Sequence, residues 1–469
     1  MRAAIRLAAL LVGAASLLIP AAPAGAHDPD EENHPGFYDP SPESKSPNLD
    51  IIGSAPRTNP SPTYRNSDLA FWGNLAFAGH YEGFRVVDLS NPRHPRVVTD
   101  VSCPGVQHDV SVWQGLLFLS IDAPLTAPEC GSPRAAAGQP GFEGLRIFDV
   151  RDPANPRYVG AVATDCGSHT HTLVPDYRNP RRVLIYVSSY PASELATSSY
   201  GNTCTRQGEG HSKISVVEVP LKAPAKARVI AEPRFELNDY DGVPGFRGCH
   251  DIQVFTGLRM AAGACMSEGQ IWDIRNIERP RTVARIHNPN VEFFHSAAFT
   301  YDGSTVLFGD EAGGGTQPRC RTQDPTTLGA IWIYDVPSLD VRDSTTVEPA
   351  LSHYKIPRVQ GDVARCTMHN FNVLPTFRRY VAVSAAYSGG TTVFDFTNRR
   401  RPREIAHNDP HGANTWSSYW YNGLIVTNDT GRGTDVMALR HRVRARALHL
   451  PYLNPQTQEW PLGRWSRRP

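Results

Sequence analysis

The stretch "GLRIFDVRDPANPRYVGAV", residues Gly144 to Val162, decides the fold because the chain repeats its pattern. An apolar strand ends in Asp, an Asn-Pro turn follows, and a second strand runs on from that turn. The stretch "GFRVVDLSNPRHPRVVTDV", from Gly83 to Val101, has the same pattern. Weaker copies, which bring the number of units to seven, begin at Ser212, Gly269, Gly329, Gly390 and Gly433.

Each unit also contains an earlier pair of strands. Examples are "HDVSVWQGLLFLSI", which begins at His108, and "HNFNVLPTFRRYVAVSAA", which begins at His369. A unit is therefore a four-stranded antiparallel meander whose second and third strands are apolar. Seven such units, each of roughly 40 to 65 residues, predict an all-β chain folded as a seven-bladed β-propeller.

The seventh unit lacks a clear fourth strand. The segment "NLDIIGSAP", from Asn48 to Pro56, has the fourth-strand pattern of "RYVGAVATD" in the second unit. We expect this N-terminal strand to close the ring, because closure removes the exposed edge of an open array. Residues 48–445 then form the propeller, and residues 446–469 form a C-terminal extension.

The first 26 residues, "MRAAIRLAALLVGAASLLIPAAPAGA", are typical of a secretory signal peptide. Two arginines precede an apolar run from Leu7 to Ile19, and Ala24-Gly25-Ala26 provides a cleavage site. Residues 27–47 are rich in Pro and acidic residues, which predicts a disordered tail. No later apolar run is long enough to cross a bilayer. We therefore expect a secreted, extracellular protein.

The charge composition argues against some classes of partner. The 469 residues include 47 Lys and Arg against 46 Asp and Glu, for a formal net charge of +1. This balance provides no strong field for nucleic acid or for an anionic membrane. We expect a monomer that binds a small molecule or a glycan at the mouth of the propeller channel.

The third-strand motifs identify a family resemblance. The stretches "GFRVVDLSNPRHPRVV" and "GLRIFDVRDPANPRYVG" resemble the modules of secreted LVIVD-repeat β-propellers. The resemblance extends over nearly the whole mature chain, and it is strongest in the first two units. It implies a propeller fold and leaves the reaction open.

A histidine recurs at the start of the first strand in five consecutive units. Without gaps, "HTHTLVP" aligns with "HNFNVLP", and "HDVSVWQG" aligns with "HDIQVFTG". First strands line the channel of a propeller, so these imidazoles predict a site for a transition metal, copper or zinc. Packing between blades is the alternative explanation. The predicted ligands are His108, His169, His250, His295 and His369, with His171 one step deeper on its strand.

The eight cysteines predict four disulfides in an exported chain. Four of them precede a first-strand His, and the other four lie at or after the end of a second strand. Antiparallel pairing brings these two places to the same end of a blade. The predicted pairs are Cys103 with Cys130, Cys166 with Cys204, Cys249 with Cys265, and Cys320 with Cys366.

Three long insertions lie at that same end of the propeller, at residues 122–143, 190–211 and 310–328. Of their titratable residues, Glu311 is the predicted catalytic acid or base, because "GDEAGGG" places it at a strand end before flexible glycines. The other candidates in these insertions are Glu194, Glu209, His211, Asp310 and Arg319.

Three functions are compatible with these features. The first is a metal-dependent oxidoreductase, an arrangement similar in outline to the selenium-binding protein and methanethiol oxidase propellers. The second is a metal-assisted polysaccharide lyase, for which Tyr190, Tyr200 and Tyr387 are candidate acids. The third is a non-catalytic module that binds a protein or a glycan. Convergence of the histidines would favour the first two.

Overall fold

The structure is a computed structural model that describes residues 43–136, 139, 141–191, 210–338 and 349–462. In this part of the chain, seven antiparallel sheets form the blades of a β-propeller, which confirms the predicted fold class. The predicted signal peptide and most of the predicted tail lie outside the described residues. Within those residues, no helix has the length and apolar character needed to span a bilayer.

Two strands precede the first blade, namely β1 (Ser44–Lys45) and β2 (Leu49–Pro56). Blade one contains β3 (Asn66–Trp72), β4 (Leu75–His80), β5 (Gly83–Asp88) and β6 (Arg96–Ser102). Blade two contains β7 (Val110–Trp113), β8 (Leu116–Leu125), β9 (Phe142–Asp149) and β10 (Arg157–Ala163). Blade three contains β11 (Thr170–Pro175), β12 (Arg182–Ser188), β13 (Ser215–Pro220) and β14 (Arg228–Ala231).

The remaining blades continue the same meander. Blade four contains β15 (Ile252–Phe255), β16 (Met260–Cys265), β17 (Glu268–Asp273) and β18 (Arg281–Ile286). Blade five contains β19 (Phe294–Phe299), β20 (Thr305–Asp310), β21 (Ile331–Asp335) and β22 (Ser352–Tyr354). Blade six contains β23 (Phe371–Val373), β24 (Val381–Ala385), β25 (Thr391–Asp395) and β26 (Arg403–Asp409). Blade seven contains β27 (Thr415–Tyr421), β28 (Leu424–Asp429) and β29 (Gly433–Leu439).

Short 3-10 turns connect some of these strands. Those in the described part of the chain are Pro224–Lys226, Tyr240–Gly242, Thr256–Leu258, Val336–Ser338 and Arg442–Arg446. The fourth strand of blade five, β22, begins later in the chain than the repeat pattern predicts.

The N-terminal strand β2 closes the ring as predicted. It pairs antiparallel with β29 and supplies the fourth strand of blade seven. Leu49 of β2 is buried in one apolar cluster with Val393 of blade six and Leu439 of blade seven. The alternation of apolar residues in the strands thus packs each blade against its neighbour.

The predicted tail contributes a strand at its C-terminal end. Ser44 and Lys45 form β1, which pairs with the outer strand β26 of blade six. This pairing differs from the expectation of disorder over residues 27–47. An outer strand presents unpaired N–H and C=O groups, so a chain that runs beside it can pair with it.

The C-terminal extension crosses the channel at the end opposite the histidines. Its strand β30 (Tyr452–Leu453) pairs with β3 of blade one, and β31 (Thr457–Gln458) pairs in parallel with β15 of blade four. Between them, the Asn454 side chain bonds the backbone N–H and C=O of Val112 in blade two. The extension therefore covers the inner strand edges of several blades, a role that its sequence did not predict.

Three of the predicted disulfides are present. They join Cys103 to Cys130, Cys249 to Cys265, and Cys320 to Cys366. Cys166 is also disulfide-bonded, but its predicted partner Cys204 lies outside the described residues. The first and third of these bonds hold two of the insertions, residues 122–143 and 310–328, against the end of the propeller at which the first strands begin.

Candidate metal centre in the central channel

Four of the five predicted first-strand histidines converge in the channel. They come from blades three to six, and each has an exposed fraction of 3% or less. The Nε2 atoms of His169 and His250 lie 2.7 Å apart. The ring centroids of His250 and His295 are 3.9 Å apart, and those of His295 and His369 are 4.4 Å apart. We call these four residues the imidazole cluster.

In three of the four histidines of the cluster, the Nδ1 atom lies beside an oxygen atom. His369 Nδ1 lies 2.6 Å from the Trp416 carbonyl oxygen, which can only accept a hydrogen bond, so this Nδ1 carries a proton. His169 Nδ1 lies 2.5 Å from Asp122 Oδ2, and His250 Nδ1 lies 3.0 Å from Asp251 Oδ1. A proton held on Nδ1 leaves the Nε2 lone pair available to a metal ion, the tautomer that carboxylates impose on metal-binding histidines.

Glu311 joins the cluster from the loop after β20. Its Oε2 lies 3.6 Å from His295 Nε2, and its Oε1 lies 3.4 Å from His369 Nε2. The Tyr387 hydroxyl donates a hydrogen bond to Oε1. The carboxylate is buried, and its potential ligand atoms lie within 4.8 Å of those of His295 and His369. A second such group consists of His250, Asp251 and His295.

The glycines of "GDEAGGG" explain the position of Glu311. Gly313, Gly314 and Gly315 have φ values of 70°, 59° and 67°, which side chains rarely tolerate. A Cβ atom at Gly315 would lie 2.7 Å from Glu311 Oε1 and 2.7 Å from a Tyr387 ring carbon. Only glycine therefore lets the loop lie against the Tyr387 and Glu311 pair.

Asp310 organises the loop beside Glu311. Its carboxylate accepts hydrogen bonds from the backbone N–H groups of Glu292, Phe293 and Gly329, at 2.8 to 3.1 Å. Burial raises the pKa of Asp310 to about 7, and these backbone bonds oppose the shift. The Asp310 carboxylate therefore holds the backbone of this loop and does not point its oxygens at the imidazole cluster.

The other candidates of the insertions take part in local pairs or are not described. Arg319 lies 3.3 Å from Glu292, and His211 lies 3.7 Å from Asp165. Tyr190 reaches the cluster, because its hydroxyl lies 3.4 Å from His169 Nε2. Glu194, Tyr200 and Glu209 lie outside the described residues.

The structure places His108 outside the cluster. Its Nδ1 lies 2.6 Å from the His80 carbonyl oxygen, and its Nε2 lies only 2.2 Å from the position of a Cβ atom at Gly105. Gln107 and His108 have left-handed φ values of 63° and 54°. His108 is therefore not part of an extended strand, which is what the alignment of the five histidines assumed. This ring packs between blades, as the alternative explanation held.

His171 is also a packing residue. Its Nε2 lies 2.7 Å from Ser111 Oγ and its Nδ1 lies 2.8 Å from Ser120 Oγ, both in blade two. Burial lowers the pKa of His171 to about 3, so the ring is neutral. Both nitrogens are engaged by hydroxyl groups. The alternation of the strand predicted a buried ring, which is confirmed. The ring faces blade two, however, and not the channel.

Replacing His108 by asparagine is expected to reduce the acid sensitivity of the fold without changing metal content. Burial lowers the pKa of His108 to about 3, below the unfolded value of about 6.5. Its stabilising contribution is therefore present above pH 6.5 and is lost as the pH falls towards 3. Asparagine tolerates the left-handed backbone and keeps an N–H donor for His80, but it does not titrate in this range.

The measurement is the free energy of unfolding of the wild type and His108→Asn at pH 7, 5.5 and 4, with elemental analysis of both. We expect a larger loss between pH 7 and 4 in the wild type. An equal loss would show that His108 does not titrate as its burial requires. A loss of metal in the variant would contradict its position outside the cluster.

A ring of polar residues lies next to the imidazoles. It includes Asp68, Asp109 and Asp251, which line one cavity together with all four histidines of the imidazole cluster. Burial, together with the nearby Asp68 carboxylate, raises the pKa values of Asp109 and Asp251 well above the usual range. The residues lining this cavity include no Lys or Arg. Sequence reasoning missed Asp68, whose only signal was its alignment with Asp109 and Asp251.

The cavity is small. Its free volume of about 20 Å³ is room for an ion or about one or two water molecules. Because the C-terminal extension crosses the other end of the channel, a ligand would enter on the side of the disulfide-held loops.

Comparison with known proteins supports the fold. No known family model matches the chain, and no curated protein sequence matches it. A solved structure of a protein from Lactobacillus plantarum aligns with 84% of this chain and 97% of its own, with a TM-score of 0.53 and 9% identity. A candidate 6-phosphogluconolactonase from Bacteroides uniformis aligns with 82% of this chain and 96% of its own, with a TM-score of 0.51 and 11% identity. At these identities the likeness shows the fold alone.

Proposed function

We propose that this protein is a secreted β-propeller of the LVIVD-repeat type that binds a transition metal ion at the imidazole cluster. The observation that carries the proposal is the 2.7 Å approach of His169 Nε2 to His250 Nε2. Each ring presents its Nδ1 to a carboxyl group, Asp122 or Asp251. When both Nδ1 atoms are protonated, the Nε2 lone pairs of His169 and His250 face each other. Only a proton or a cation between the two Nε2 atoms stabilises that arrangement.

The donor set favours copper or zinc. Imidazole nitrogens suit both ions, and the Glu311 carboxylate adds an anionic ligand beside His295 and His369. A bound ion would supply a Lewis acid or, if it is copper, a one-electron redox centre. Glu311 can accept a proton at this site, and the Tyr387 hydroxyl orients its carboxylate.

The size of the cavity argues against the polysaccharide lyase. About 20 Å³ of accessible space cannot admit a sugar chain, as a polysaccharide lyase would require. A protein-binding module would not need four buried imidazoles directed at one another. We therefore propose a metal-dependent oxidoreductase ahead of the two alternatives.

Secretion is supported by two independent features. The N-terminal 26 residues have the pattern of a signal peptide. The disulfides of the folded domain are stable in an oxidising compartment and rare in the cytosol.

Elemental analysis of untagged protein from the culture medium tests the proposal directly. We expect close to one transition metal ion per chain, and a lower melting temperature after removal by a chelator, because a ligand that binds only the folded state stabilises it. Absence of metal after attempted loading with copper and with zinc would refute the metal site. It would leave the binding module as the function to pursue.

A further inference from the structure

An apolar layer covers the imidazole cluster at the mouth of the channel. Its five side chains have exposed fractions of 4% or less, and they pack in one cluster that is separate from the cores between the blades. They come from connections that meet at the end of the propeller where the first strands begin. We call this layer the aromatic cap, and its members are Tyr190, Tyr240, Phe246, Met266 and Phe293.

The aromatic cap lies directly on the imidazole rings. The ring centroid of Tyr190 is 5.0 Å from that of His169 and 5.9 Å from that of His250. The ring centroid of Phe293 is 5.6 Å from that of His250 and 6.3 Å from that of His295. These are the separations of aromatic rings in contact. They leave no room for a layer of water between the cap and these three imidazoles.

Phe293 joins the cap to the cluster. Besides the two imidazoles, its ring contacts those of Tyr190 and Tyr240, with centroid separations of 6.3 Å and 5.3 Å. Its backbone N–H donates a hydrogen bond to the buried Asp310 carboxylate at 2.9 Å, which fixes the start of the strand β19. A ring with four ring neighbours and an anchored backbone has little freedom to turn aside. Phe293 therefore separates the imidazoles from the rest of the cap.

The groups around the cluster disfavour an anion. The carboxyl groups of Asp122 and Glu311 lie beside the imidazoles, and the described residues that line the cavity include no Lys or Arg. A bound divalent ion would already be balanced by these two carboxylates. Among the cap side chains, only the tyrosine hydroxyls can donate a hydrogen bond. An anion that enters would lose its hydration without a replacement, which makes its burial unfavourable.

We infer that the aromatic cap admits only small uncharged molecules to the proposed metal centre, and that Phe293 is the residue that sets this limit. The cavity has room for about one or two water-sized molecules. Apolar walls favour a neutral guest, because such walls offer no partner to a charge. The substrate class is therefore a neutral molecule of the size of a diatomic gas. The inference rests on the proposed function, since it concerns access to the same centre.

Binding of two small probes to copper-loaded protein tests the cap. Carbon monoxide is the neutral probe, followed by its infrared band in the copper(I) protein. Azide is the anionic probe, followed by its charge-transfer absorption in the copper(II) protein. We expect the wild type to bind carbon monoxide, and Phe293→Ala to bind azide about tenfold or more tightly than the wild type, because the space it opens admits the anion with its water. The affinity for carbon monoxide should change by less than about threefold.

Two further variants separate the cap from a general effect on the fold. Phe293→Leu keeps most of the apolar volume, so its azide affinity should rise by a smaller amount, and it provides the test if the alanine variant folds poorly. Phe299→Leu is the matched control, because Phe299 is buried at the opposite end of the strand β19. Its azide affinity should equal that of the wild type.

Azide binding by the wild type as tight as by both Phe293 variants, in protein that binds copper, would overturn the inference and leave the proposed function standing. Failure of the copper(I) wild type to bind carbon monoxide would overturn it in the same way. An equal gain of azide binding in Phe299→Leu would also overturn it, because the effect would then come from loosening of blade five. Absence of copper binding would refute the proposed function, and this inference with it.

Discussion

Replacing His250 by alanine is expected to lower transition-metal affinity at least a hundredfold, equivalent to about 2.7 kcal/mol. His250 is one of the two inner rings of the cluster. Its Nε2 lies 2.7 Å from that of His169, and its ring centroid lies 3.9 Å from that of His295. It also belongs to the group of potential ligands that includes Asp251. His295 has an equivalent position between His250 and His369, beside the Glu311 carboxylate.

The measurement is metal content per chain, followed by competition titration with copper and with zinc. His94→Ala is the matched control, since His94 is exposed in the turn between β5 and β6. His250→Gln provides a bulkier replacement if the alanine variant folds poorly. Metal content and affinity equal to those of the wild type in both His250 variants would contradict the proposed centre.

Removing the C-terminal extension after residue 447 is expected to reduce the free energy of unfolding by about 5 kcal/mol or more. Leu450 and Leu453 are buried in the cluster between blades seven and one. The extension also supplies polar partners to inner strands. The Thr457 hydroxyl donates to the Leu173 carbonyl, and Gln458 Nε2 donates to the Phe299 carbonyl. Truncation exposes these apolar and polar groups together.

Denaturant unfolding, followed by tryptophan fluorescence, measures this effect. Asn454→Ala is the milder variant, with an expected loss of about 2 kcal/mol, because it leaves both backbone groups of Val112 without their partner. Asn91→Ala, at an exposed position in a turn, is the matched control. If the truncated chain unfolds at the same denaturant concentration as the full chain, the extension does not stabilise the channel.

The fold was accessible to sequence reasoning because its determinants are local and repeated. The motif at residues 144–162 encodes strand, turn and strand within a short segment, and seven copies leave few alternatives to a propeller. The closing strand, Asn48 to Pro56, was found by the same pattern. The disulfide pairs followed from antiparallel geometry, which sets which strand ends meet.

The site was accessible in part. Alignment of first strands identified the four clustered histidines, and the glycines of "GDEAGGG" directed attention to Glu311. The same alignment misplaced His108, because the backbone at residues 107 and 108 is left-handed and not extended. It also did not foresee that serine hydroxyls of blade two would engage both nitrogens of His171.

The sequence by itself determined the seven-bladed architecture, the closing strand and the strand ends at which four channel histidines lie, because strand periodicity and turn chemistry act over a few residues. Only the tertiary structure decided which imidazoles meet, that Asp68 lines the cavity with them, and that the C-terminal extension crosses the channel. Those contacts join different blades, or a blade and the C-terminal extension, and the residues are up to 388 positions apart in the chain for Asp68 and Gln456. Their distances depend on how the ring closes, and no local pattern encodes that geometry.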